Sequence, residues 1–181
     1  MTHRLHLKFE QLDRATARLL AAAEALGPDA TRQPAPGAWS AAQVVHHLLF
    51  IEGRMLKAIQ SKLQDPDQLL NPSLVTRLRA LLVRGLLRLP GLRVTAPPGV
   101  ATRTDANEIP PLAQMQADWQ ALRRQWEQLL NEYPGPLLGR AIFPHPRAGM
   151  LNIYQSMEFL VDHLLHHQQQ MTRIKAALRT A

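Results

Sequence analysis

The chain has 181 residues, a formal net charge of +7 and no cysteine. That length suits one domain, 1–181, with room for a sizeable core, and the missing cysteines exclude disulfides, thiolate metal ligands and a cysteine nucleophile. The basic excess is spread along the chain, with no dense basic run and no interleaved aromatics, which argues against a nucleic-acid surface.

Leu5, Phe9, Leu12, Thr16, Leu19, Ala23 and Leu26 recur at steps of three and four and predict a helix over 2–26. Gly27-Pro28 ends it. This opening lacks the apolar core of a signal peptide, so the expected compartment is the cytoplasm. A second helix is predicted over 40–64, with Ser40 as its N-cap and Val45, Leu48, Leu49, Met55, Leu56, Ile59 and Leu63 on its apolar side. Asp65-Pro66 breaks it. Asn71-Pro72 then opens a shorter helix over 71–89, which Pro90-Gly91 closes, and 92–107 is irregular with no period.

The third long helix, 109–132, follows Pro110-Pro111. Its stripe runs through Leu112, Met115, Trp119, Leu122, Trp126 and Leu129 to Tyr133. The last helix, 151–178, carries Ile153, Met157, Leu160, Leu164, Met171 and Leu178 on its buried side. No segment alternates like a strand, and no internal repeat appears. No apolar run approaches a membrane span. The expected fold is all-α: a four-helix bundle with a short extra helix. Its long middle connection suits a crossover rather than simple up-down-up-down order.

Five of the eight histidines fall in two clusters, His46-His47 in the second helix and His163, His166 and His167 in the last. Imidazole is a common neutral metal ligand, and three of them can build an open site. With Ile153, Leu164 and Met171 at the centre of the last helix's buried face, His167 lies about 40° away and His163 about 80°, while His166 lies about 140° away, toward solvent. His163 and His167 thus share the edge of the buried stripe, four residues apart, a spacing at which two imidazoles can grip one ion. In the second helix, His46 and His47 flank the apolar centre about equally, and periodicity does not choose between them.

Three stretches together resemble the DinB/YfiT-like superfamily of four-helix-bundle metalloproteins. The first is Trp39-Ser40 followed by His47-Leu48. The second is the Phe143-Pro144-His145-Pro146-Arg147-Ala148-Gly149 loop. The third is His163-x-x-x-His167-x-x-Gln170. Gln43 departs from the pattern, which commonly has an acidic residue there, but it is not a ligand position. The resemblance selects His47 over His46 and implies a divalent ion, zinc or nickel, held by His47, His163 and His167. It also implies a metal-dependent enzyme, either a hydrolase or a transferase using a low-molecular-weight thiol; the alternative is a non-catalytic metal-binding or stress-linked bundle. For partners we expect a small-molecule substrate, with room for a homodimer, and neither nucleic acid nor membrane.

Glu52 has two readings: an acceptor or general base near the ion, or a buried carboxylate paired with an arginine. Asp162 is expected on the solvated side of its helix. Gln170, one turn beyond His167, is either a hydrogen-bond partner near the ion or an ordinary polar edge. Trp39, Trp119 and Trp126 read as core or interface aromatics. Arg77, Arg84 and Arg88 suggest either an anion-binding or membrane-facing lid or, preferred, an amphipathic helix with a solvated basic face. No Ser/His/Asp arrangement or phosphate-binding glycine loop is present.

Overall fold

The computed structural model describes residues 1–88 and 109–180, apart from the side chain of Arg77. The irregular stretch expected over 92–107 lies outside the described residues. Five helices dominate: α1 (His3–Glu24), α2 (Ala41–Leu63), α3 (Leu74–Arg88), α4 (Leu112–Glu132) and α5 (Ile153–Thr180). Each falls within a few residues of the helix its periodicity predicts. Side chains fix the starts of α2 and α5. Ser40 Oγ accepts from Gln43 N–H while Gln43 Oε1 accepts from Ser40 N–H, a reciprocal cap that satisfies two donors the helix itself cannot. Asn152 and Gln155 do the same for α5, at 2.9 and 3.0 Å.

Helices α1, α2, α4 and α5 form the bundle. Leu5, Leu12, Leu19, Met55, Ile59, Met115, Trp119, Trp126 and Leu130 are fully enclosed at its centre. Helices α1 and α5 run parallel: Arg4 pairs with Glu158 near both starts, Gln168 Nε2 donates to Ala15 O farther along, and Arg32, beyond the end of α1, reaches Leu178 O near the end of α5. Helix α4 runs against them, since Met1 N meets Asn131 O while Arg123 meets Asp13 and Thr16. First and last helices would be antiparallel in an up-down-up-down bundle, so the chain crosses over, as the long middle connection predicts.

Two expectations are corrected. A short antiparallel hairpin, β1 (Phe143–His145) with β2 (Gly149–Leu151), precedes α5, and its register pairs His145 with Gly149. Strands of three residues are too short to show alternation in the sequence. Gly149 has φ +83, and a Cβ there would come within 3.2 Å of Thr76 Oγ1, so glycine lets the chain turn while α3 sits close against the hairpin.

The second correction concerns α3. Its expected solvated basic face is turned the other way. Leu87 is buried on the α5 side. Arg84 pairs with Glu158 and Asp162 at 2.9 and 3.0 Å, and Arg88 pairs with Asp162 at 2.7 Å. The leucines of its other face are exposed. Asp162 is therefore not solvated: it is 1% exposed, and burial pushes its pKa up while Arg88 and Arg84 pull it down.

Candidate metal centre

His47 lies about two turns into α2 from its Ser40 cap, on the side facing α5. His163 and His167 lie one turn apart on α5 and face back. The three rings pack around one point, with centroids 5.4 Å apart for His47 and His163, 5.1 Å for His47 and His167, and 4.7 Å for His163 and His167. One ring nitrogen from each lies within 4.8 Å of the others, and the Nε2 atoms of His163 and His167 are 3.1 Å apart. Among the described residues this is the one group of three or more potential ligands so gathered.

All three imidazoles are held neutral. Burial lowers the His47 pKa to about 4, helped by His46. It lowers His167 to about 3, with His47 adding to the effect. His163 keeps a partly exposed edge, yet loss of water around its ring, and then His167 and His47, push its pKa well below the usual imidazole range. A neutral ring offers a lone pair, the form a metal requires. His167 Nδ1 is 2.7 Å from Gln170 Oε1. The amide oxygen only accepts, so Nδ1 carries the proton and the Nε2 lone pair points at the common point. Of its two readings, Gln170 thus takes the one beside the site. Its replacement by leucine is expected to free the His167 ring and weaken zinc affinity about 10- to 100-fold, as read by competition with a chromophoric chelator. An affinity equal to the parent's would mean that the amide does not orient the ring.

Two aromatic rings bracket the histidines. Trp39, half-buried just before the α2 cap, lies near-parallel to His167 at 6.5 Å and against His47 at 5.0 Å. Phe159 stacks on His163 at 5.3 Å and meets His145 edge-on at 4.5 Å. Phe159 went unnoticed in the sequence, although its place four residues before His163 puts it on the same helix face. His145, in the hairpin loop, accepts from Arg147 and Ala148 N–H through Nδ1, at 3.2 and 3.0 Å. Burial, and then Arg147, lower its pKa to about 4.

His46, half-buried on the other flank of α2, is outside the trio. His166 is also outside it, but it does not face solvent as the wheel predicts. It is buried, with Nδ1 3.3 Å from Leu87 O, because α3 covers that side of α5. Glu52 is 2% exposed and follows its second reading. Arg123 binds both its oxygens, and Trp119 Nε1 donates to Oε2 at 2.9 Å. Trp119 and Trp126 are core residues.

Three neutral nitrogens suit a divalent ion. With ligands about 2.1 Å from a tetrahedral centre, nitrogens sit roughly 3.4 Å apart. The 3.1 Å His163–His167 separation is already near that, and all three nitrogens lie within 4.8 Å of one another.

A sequence model of the DinB superfamily matches residues 11–171. No curated protein matches the chain. Among solved structures, the chain is similar to YfiT from Bacillus subtilis, described as a probable metal-dependent hydrolase with an unusual four-helix bundle topology. The two are 18% identical, with a TM-score of 0.59 over 98% of this chain and 90% of that one. At that identity the likeness establishes the four-helix-bundle fold.

Proposed function

Because the chain belongs to the DinB superfamily, we propose that it is a divalent-metal-dependent enzyme of the hydrolytic kind, with His47, His163 and His167 as ligands of zinc or nickel. One observation carries this reading: three uncharged imidazoles from two helices meet at one point inside the bundle. The family resemblance and the description of YfiT as a probable metal-dependent hydrolase support the choice of reaction class.

Three protein ligands leave room for water or substrate, and a bound divalent ion acidifies such a water toward neutral pH. The chain's own residues prepare the place. Gln170 orients His167, while Trp39 and Phe159 wall the histidines on two sides and limit water there. Both oxygens of Glu52 are taken by Arg123, so we assign it no proton transfer.

The test uses zinc- and nickel-loaded protein on activated esters, amides and lactones, with and without an added low-molecular-weight thiol. We expect metal-dependent turnover without thiol, lost in His163→Ala. Turnover only with thiol would assign the protein to the thiol-dependent transferases instead. No turnover by metal-loaded protein on any of these would leave a non-catalytic metal-binding bundle.

A further inference from the structure

A helix normally stays docked by burying an apolar stripe. Helix α3 buries almost none. Of its described side chains only Leu87 is buried, and none of its apolar side chains belongs to the contiguous bundle core or packs against it. Its outward leucines do not mark a membrane span, since no helix among the described residues is long and apolar enough to cross one. Inward it turns Ala80, Val83 and Leu87, and these line a cavity of about 50 Å³ together with His145, Leu151 and Phe159. Side chains that border a void give up dispersion contacts on that side, so the apolar hold on α3 is weak.

Charge supplies the rest. Arg84 bridges Glu158 and Asp162, and Arg88 meets Asp162. Asp162 is 1% exposed and both of its ion-pair partners are on α3, whereas Glu158 also holds Arg4 of α1 at 3.2 Å. If α3 leaves, water replaces the arginines around Asp162 and Glu158 keeps Arg4. Exchanging a buried ion pair for hydration lies near balance, because the pair's attraction is largely offset by the cost of desolvating both partners. Helix α3 is therefore the part of the fold that opens most readily.

What α3 covers lies beside the histidines. Phe159, which lines the cavity, stacks on His163 at 5.3 Å. His166, whose Nδ1 is 3.3 Å from Leu87 O, meets His167 edge-on at 5.4 Å. One layer of side chains separates α3 from two members of the trio. We propose that α3 is a lid, clamped to α5 by Arg84 and Arg88 on Glu158 and Asp162, that lifts as a unit from the intact bundle and uncovers the His145, Phe159 and His166 side of the histidine cluster. The lid does not depend on what the three histidines bind.

Hydrogen exchange of the full chain, followed by mass spectrometry, reads the lifting directly, because a 15-residue helix released from its partner is marginal and loses its protection. Residues 74–88 should exchange at least about tenfold faster than α1, α2 and α4, and several-fold faster again in high salt, which screens the half-exposed Arg88. Arg84→Gln/Arg88→Gln should speed exchange of 74–88 a further tenfold or so with α1, α2 and α4 unchanged, since it strands Asp162 while the lid is closed. Asp162→Asn cuts the clamp from the α5 side and should act in the same direction. Arg79→Gln, on the outward side of α3 by helical phase, should have no effect. Carbethoxylation by diethyl pyrocarbonate reads the uncovering: relative to exposed His3 and His6, buried His166 should react about tenfold faster in the clamp variants than in the parent. Exchange of 74–88 at the rate of the other helices, or unchanged His166 reactivity in both clamp variants, would overturn the proposal. So would clamp variants that lose protection equally in every helix, since α3 would then be part of the bundle's single cooperative unit.

Discussion

Arg123→Met is expected to cost about 3–5 kcal/mol of stability, a large share of what a chain of this size has. Arg123 joins three helices of the bundle. Its guanidinium from α4 holds both oxygens of Glu52 on α2, lies 2.6 Å from Thr16 Oγ1 and reaches Asp13 Oδ1 at 2.7 Å, both on α1. Burial pushes the Glu52 pKa up, and Arg123 and the Trp119 N–H work against that push. Removing the arginine strands a carboxylate in the core, and the loss comes mostly from that unpaired charge rather than from any large net gain in the intact pair. The double variant Glu52→Leu/Arg123→Met should therefore recover much of the deficit. Urea unfolding of the parent and both variants makes the comparison. A single variant within about 1 kcal/mol of the parent, or a double variant as unstable as the single, would show that the pair does not brace the bundle interior.

Metal-free protein is expected to lose stability steeply as pH falls from about 6.5 to 4. His145 shows why. Its Nδ1 accepts from two backbone N–H groups in the hairpin turn, so the ring must stay neutral to keep both bonds. Its pKa is lowered from 6.5 to about 4 by burial and then by Arg147. A group whose pKa is depressed on folding leaves stability intact above its unfolded pKa. Stability is lost as pH falls toward the folded value, because the unfolded chain takes up protons first. The size for His145 is about 3 kcal/mol by pH 4. His47 and His167 are lowered in the same direction and add to it. Asparagine at 145 keeps an oxygen that can accept from the turn but does not titrate. His145→Asn should therefore shrink the difference in unfolding free energy between pH 7 and pH 4 by roughly that amount. An unchanged difference would mean that His145 is not held neutral by the fold.

The bundle was legible because a four-helix core imposes a period the sequence cannot hide. The stripes from Leu5 to Leu19 and from Met115 to Trp126 mark buried faces directly, and Ser40 and the paired prolines mark the ends. The pairing of His163 with His167 was legible for the same reason, as both sit at the edge of one stripe. His46 and His47 could not be told apart that way, since α2 presents both flanks equally. The errors on α5 share one cause. The helical wheel allows a helix one buried face, whereas α5 has two, one against the bundle and one against α3. His166 and Asp162 sit on the second, where Leu87 O and the Arg84/Arg88 guanidinium groups meet them. A polar face buried by complementary charges has no hydrophobic signature. The only hint was the leucine-rich segment 74–88, whose amphipathic pattern tells which residues share a side but not which side turns inward.

Metal content per chain, measured on tag-free protein after incubation with zinc or nickel and removal of excess, decides whether the three histidines form one site. The parent should hold about one ion per chain. His47→Ala, His163→Ala and His167→Ala should each lose it, because two imidazoles hold a divalent ion poorly. His46→Ala and His166→Ala should keep it, since neither ring belongs to the converging set. A parent that stays metal-free, or a His166→Ala variant that loses metal while His163→Ala retains it, would mean that His47, His163 and His167 are not the ligands.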